Sequence, residues 1–151
     1  MNPKLENLLP SDLDGHVDHI GVAVADLQAG IALYRDLLGL ELERTEEVPQ
    51  ENVQVAFLKL DRSGGRGHLE LLAPMGEGGN IAAFIAKRGP GLHHVAMAVP
   101  DIAAAMERCR AAGIRLLDDK PRPGAGGKQI VFLHPKDCGG VLVEMCAPGD
   151  G

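Results

Sequence analysis

The sequence predicts an α+β fold of two tandem βαβββ modules, whose strands form one curved, cavity-enclosing mixed sheet with the helices on its outer face. Three observations carry this expectation: an internal repeat offset by 74 to 75 residues, the same strand-then-helix punctuation in both copies, and a period-two alternation of bulky and small residues along the first strand of each. In the repeat, His19 falls on His94, Val24 on Val99, Asp26 on Asp101 and Arg35 on Arg110, and after a gap of one residue Gly39 meets Gly113. The later halves follow, with VAFL (55–58) over IVFL (130–133) and LELLAP (69–74) over VEMCAP (143–148).

Each element has a local reason. The first strand of each copy ends at Val24 or Val99, and the Asp two residues on can cap a helix by accepting from its first free N–H groups. Gly39 and Gly113 can end those helices in the left-handed conformation. LELERTEE, VQVAFLKL and HLELLA then read as strands of the first copy, and IRLLD, QIVFL and VLVEM as strands of the second, separated by Pro/Gly-rich breakers. GEGGNIAAFIAKRGPG (76–91) joins the copies, with a short helix at Ile81 to Ala86. The expected organisation is one domain over 1–151: a short frayed start, module one at 17–75, the linker at 76–91 and module two at 92–148.

Composition narrows the function. A chain of 151 residues with 45% hydrophobic content can close a core, and a net charge of −6 without a run of Lys or Arg gives nucleic acid or a membrane surface no electrostatic attraction. There is no apolar stretch of membrane-spanning length, and MNPKLENLLPSDLDG lacks the apolar core of a signal peptide, so a soluble cytoplasmic protein is expected. Cys109, Cys138 and Cys146 have no metal-type spacing and read as free thiols in a reducing compartment.

Strand parity locates the candidate site. Neighbouring side chains on a strand point to opposite faces. Ile20, Val22 and Val24 form a bulky packing face, against His19, Gly21 and Ala23; Val95, Met97 and Val99 do the same, against His94, Ala96 and Ala98. The His-small-small face is a cavity wall. His93 falls on the packing side, with Asp18 as its counterpart. The last strand of each module carries a carboxylate, Glu70 or Glu144, at duplicated positions, and a carboxylate amid apolar residues is expensive to bury unless paired or metal-bound. Two imidazoles and two carboxylates suit one divalent ion of borderline character, Co, Mn, Ni, Zn or Fe. His68 shares a face with Glu70 but stands at the strand entrance and has Leu142 as its repeat counterpart, so it reads as peripheral.

These features resemble the vicinal oxygen chelate superfamily, whose members chelate a substrate through two neighbouring oxygens on a metal. VDHIGVAV, VQVAFLKL with LELLAP, FIAKRGPGLHHVA, PRPGAGGK and FLHPKDCGGVLVE are more specifically similar to the methylmalonyl-CoA epimerases, over nearly all of Val17 to Cys146. The resemblance implies His19, Glu70, His94 and Glu144 as metal ligands, a CoA thioester as substrate, and a homodimer. It implies C2 proton removal and return through a metal-stabilised enolate, with no redox cofactor.

Epimerisation needs an acid-base group on each face. That family usually has a Pro-Glu-Gln-Gly-Val-like stretch here; in this chain it is PQENV, with Gln50 at the Glu position and Glu51 one place later. Glu51 is therefore the expected first base, Glu47 its substitute and Glu144 the group for the other face, while a solvated charged loop is the alternative for Glu47 and Glu51. PRPGAGGK can offer Lys128 to a substrate anion, or serve as a hairpin connector. His134 in HPKD can contact a ligand or start a turn. Rival readings are a glyoxalase I, disfavoured by the GAGGK and HPKDCGG segments; an extradiol dioxygenase, whose iron triad would leave the fourth ligand unexplained; and a metal-free small-molecule-binding protein on the same fold.

Overall fold

The computed structural model describes residues 15–61 and 63–149, so the expected frayed start lies almost wholly outside the described residues. The chain divides into two compact units, one of His19–His94 and one of the chain from Val95 onward together with the part up to Asp18. The divisions fall inside two strands, β1 (His16–Ala23) and β5 (Gly91–Ala98).

The unit of His19–His94 is built on β1, β2 (Glu41–Val48), β3 (Val53–Lys59) and β4 (His68–Pro74), in the order β2-β3-β4-β1. β2-β3 and β3-β4 are antiparallel and β1-β4 parallel, so the sheet is mixed as expected. Helix α1 (Leu27–Ile31) starts where Asp26 accepts from the N–H groups of Gln28 and Ala29 at 3.0 and 3.3 Å. It continues as a π-helical turn, Ala32–Leu37, before Gly39 turns left-handed at φ 82°. The wide turn accommodates the extra residue that this copy carries between its capping Asp and its Gly, since a π-turn absorbs one insertion without ending the helix. Leu27 and Ile31 pack on Ala56, Leu58, Leu69, Leu71 and Ala73, with Ile20, Val22 and Val24 against the same cluster. The bulky face of β1 thus lies under the helix. The linker helix α2 (Asn80–Arg88) is longer than its expected core by a residue at the start and two at the end.

The other unit carries α3 (Ile102–Ala111), β6 (Arg122–Pro123), β7 (Lys128–Leu133) and β8 (Val143–Pro148) with the end of β5, in the order β5-β8-β7-β6. Asp101 caps α3 through the N–H of Ala104 at 3.1 Å, and Gly113 ends it at φ 78°. Ile102, Ala105 and Met106 pack on Val131, Met145 and Ala147, while Ala96, Ile130 and Cys146 cluster separately. One expectation fails. IRLLD forms no full strand; it makes a bridge between Leu116 and Leu133 and backbone bonds from Leu117 N–H to Phe132 and from His134 N–H to Arg115, both 2.8 Å. Pairing resumes only over the two residues of β6, because Pro121 and Pro123 have no N–H to give a ladder.

Candidate metal centre

Among the described residues, the polar or charged side chains that are buried are His19, Glu70, His94 and Glu144, each 4–6% exposed. Burying such groups is unfavourable unless they are paired or hold an ion. They are the four that the duplication singled out.

Within the unit of His19–His94, three of them touch. His19 Nδ1 lies 2.8 Å from a Glu70 oxygen, and its Nε2 lies 3.0 Å from Nε2 of His94. The two rings stand edge to face, with centroids 5.1 Å apart. Gly21 makes the space: a Cβ there would collide with the His94 imidazole. The small residues of this face are therefore required by the ring they accommodate.

His93 corrects the simple parity picture. Its ring does meet α2, edge to face with Phe84 at 4.9 Å, but its Nδ1 also comes within 2.9 Å of Nδ1 of His94. With the three rings neutral, the bonds run one way: His93 Nδ1–H donates to His94, His94 Nε2–H to His19, and His19 Nδ1–H to Glu70. Burial, then the charges of His19 and His93, push His94 down to about 3, and burial with Arg88 lowers His93. Neutral imidazoles are what a metal takes. The two Nε2 atoms fit a divalent ion in spacing too, since two nitrogens each about 2.1 Å from one cation at a near-right angle stand about 3 Å apart. A cation shared by the two Nε2 atoms would require His94 to carry its proton on Nδ1 and donate it to His93.

Glu144 occupies the matching register in the other unit. Glu70 pairs with Gly21 on one side and Phe57 on the other; Glu144 pairs with Ala96 and Phe132. An arginine covers each ring, Arg44 at 3.9 Å from Phe57 and Arg122 at 5.3 Å from Phe132, and each arginine meets an acid, Glu46 at 2.6 Å and Asp118 at 3.7 Å. This acid-Arg-Phe-Glu ladder escaped the sequence reading. Part of the signal was present in the alignment of VAFL with IVFL, which sets Phe57 over Phe132, but the arginines lie at positions that the repeat does not align.

The remaining candidates lie elsewhere. Glu51 ends a tight turn (Pro49–Glu51) and lines a surface depression with Gln50, Asn52, Glu77 and Gly79. Glu47 is exposed and pairs with Gln54, which pairs with Ala73 of the core under α1. Glu47 therefore faces the helix side, away from Glu70. His68 is peripheral, bonded to Glu43 at 2.5 Å. Lys128 pairs with Asp18 at 2.6 Å and lines a pocket with His16, Pro100 and Cys146, so Asp18 answers a charge instead of packing under a helix. GAGGK is a tight hairpin connector between β6 and β7. His134 begins a turn, its Nδ1 accepting from the N–H of Lys136 at 3.1 Å.

Comparison with known proteins gives these features a family. The model of the Glyoxalase/Bleomycin resistance protein/Dioxygenase superfamily matches residues 18–132. An ethylmalonyl-CoA/methylmalonyl-CoA epimerase of Cereibacter sphaeroides is 43% identical over 133 residues, 87% of this chain and 96% of that protein. The crystal structure of methylmalonyl-CoA epimerase from Mycobacterium tuberculosis superposes with a TM-score of 0.81 at 40% identity, covering 88% of this chain and 87% of that one. A methylmalonyl-CoA epimerase in complex with methylmalonyl-CoA and NH4+ superposes with a TM-score of 0.80 at 40% identity, covering 89% and 94%. By sequence and by its α+β vicinal oxygen chelate fold, the chain belongs to the glyoxalase/bleomycin resistance protein/dioxygenase superfamily and, within it, to the methylmalonyl-CoA epimerase family.

Proposed function

We propose that this protein is a metal-dependent isomerase that interconverts (R)- and (S)-methylmalonyl-CoA by moving the C2 proton from one face to the other. The observation that carries the reading is the burial of His19, Glu70, His94 and Glu144, and of no other polar or charged side chain among the described residues. These four are the ligands of one divalent ion per chain, Co, Mn, Ni, Zn or Fe. Bound there, the ion supplies charge stabilisation to the thioester oxygen as C2 loses its proton.

The chain's own groups do the rest. His94, held neutral by its burial, presents a lone pair in place of a proton, and Glu70 holds the His19 ring by its Nδ1. Phe57 and Phe132 stand beside the two ligand carboxylates and limit the water that reaches them. The C2 proton, acidic between a thioester carbonyl and a carboxylate, leaves on one side to Glu144 and on the other to a carboxylate near the β2–β3 turn, where the sequence points to Glu51. Lys128, the first residue of β7, offers a cation to the substrate's carboxylate or thioester end, and His134 follows the other end of that strand, where a ligand contact is the second reading of its role. The family resemblance supports a homodimer, and the free thiols of Cys109, Cys138 and Cys146 suit a reducing compartment such as the cytoplasm.

The test is to incubate metal-loaded protein with methylmalonyl-CoA in D2O and follow the C2 proton by NMR. Loss of the C2 signal at a rate proportional to enzyme is expected; a stable signal with stoichiometric metal bound would refute the reading.

A further inference from the structure

We propose that Glu46, and not Glu51, is the carboxylate that exchanges the C2 proton on the face opposite Glu144; this rests on the epimerase function proposed for the chain. Residues paired directly across neighbouring strands point to the same side of a sheet. Glu70 pairs with Phe57 and Phe57 with Arg44; one step along that face, Leu72 pairs with Val55 and Val55 with Glu46. The intervening rank, Leu71-Ala56-Thr45, belongs to the helix side, where Leu71 and Ala56 are fully buried in the core. Glu46 and Arg44 thus share the face of Glu70, and Glu47 does not.

Distance separates Glu46 from Glu51. The rank of Glu46 lies two residues along β4 from Glu70, about 7 Å, whereas the last rung before the turn, Val53 with Pro74, lies four residues away, about 14 Å, with Glu51 beyond it. Across two strand spacings, a flat sheet would put the Cα atoms of Glu46 and Glu70 about 12 Å apart, which leaves room for a small acyl group between their carboxylates. Arg44 fixes the orientation: it lies 3.9 Å over the Phe57 ring and holds a Glu46 oxygen at 2.6 Å. The Glu46 side chain is 30% exposed, so a proton taken from the substrate can pass to water.

In the step itself, the C2–H bond breaks, its electron pair enters the enolate, and the proton forms an O–H bond on Glu46. The carboxylic acid of Glu144 then gives its proton to C2 from the other face, forming the new C2–H bond. Nothing is oxidised or reduced, and the reverse reaction uses the same two groups with their roles exchanged.

The experiment compares Glu46→Gln, Glu46→Asp and Glu51→Gln in the metal-loaded full chain, starting from each pure epimer in D2O, with metal content measured alongside. Expected for Glu46→Gln is normal metal content, epimerisation reduced at least about 100-fold, and continued C2 exchange from one epimer only, because the opposite carboxylate still works. Glu46→Asp, with its shorter reach, should fall between it and wild type, which keeps the proposal testable if the amide variant folds poorly. Epimerisation by Glu46→Gln within about threefold of wild type would overturn the proposal, as would loss in Glu51→Gln with Glu46→Gln active. A wild-type protein that binds metal but never exchanges C2 would refute the epimerase function itself.

Discussion

Position 21 shows how little room the site has. The space beside Gly21 is filled by the His94 ring, so Gly21→Ala must displace either the ring or the strand. Overpacking of this kind costs roughly 1–3 kcal/mol, and because the displaced ring is a proposed metal ligand, metal affinity measured by calorimetry should fall more than unfolding stability does. His93 acts on the same ring from outside. Replacing it with Phe keeps the contact with Phe84 but removes the nitrogen against Nδ1 of His94, and an outer partner of this type is worth about 10–100-fold in metal affinity. His93→Phe should therefore still bind metal, but more weakly, whereas His94→Ala should not bind it; equal affinity for His93→Phe and wild type would show that the bond is idle. Parity along HHVAMAV made His94 legible in the sequence. The turn of the His93 ring back toward it was not, because side-chain torsions and the position of Phe84 decide that.

At the level of elements, the punctuation was legible wherever one residue type controls the backbone: the Asp26 and Asp101 caps, and the left-handed Gly39 and Gly113. The π-turn followed from a one-residue difference between the copies, which a helix can absorb in more than one way. The face of Glu46 could not be read, because the register of β2 shifts at the irregularity between Leu42 and Arg44 and reverses the simple alternation. The turn after β2 is held by Asn52, left-handed at φ 53°, whose side-chain amide donates to the carbonyls of Glu77 and Gly78 at 2.8 Å each. Asn52→Ala loses both bonds and strains the backbone, so it should lower stability in urea by about 2 kcal/mol. Asn52→Gly, which relieves the strain, should lose less; equal losses would assign the whole effect to the hydrogen bonds.

For the whole molecule, duplication is the organising fact. It placed the four buried polar groups from sequence alone, and the structure adds that each buried carboxylate stands between a small residue and an arginine-covered Phe. Duplication did not reveal where the copies diverge, as at IRLLD, where two prolines leave β6 only two residues long. Burial, followed by the charge of Asp18, pushes the Cys146 thiol up to about 12. It stays protonated at pH 8, so a disulfide reagent should leave Cys146 unmodified in the native protein and react with it after unfolding; rapid native labelling at Cys146 would contradict the packing around β8. The central claim, that two carboxylates carry a proton between the faces of C2 while the duplicated His-Glu set would hold the metal that stabilises the charge left behind, is tested most directly by one stereochemical measurement. One pure epimer of methylmalonyl-CoA is given to the protein in D2O, with and without prior removal of metal by a chelator. The account predicts that the loaded protein forms the opposite epimer carrying deuterium at C2, and that the chelated protein forms none until metal is restored. Epimerisation that survives chelation unchanged, or a product that keeps its original hydrogen, would contradict it.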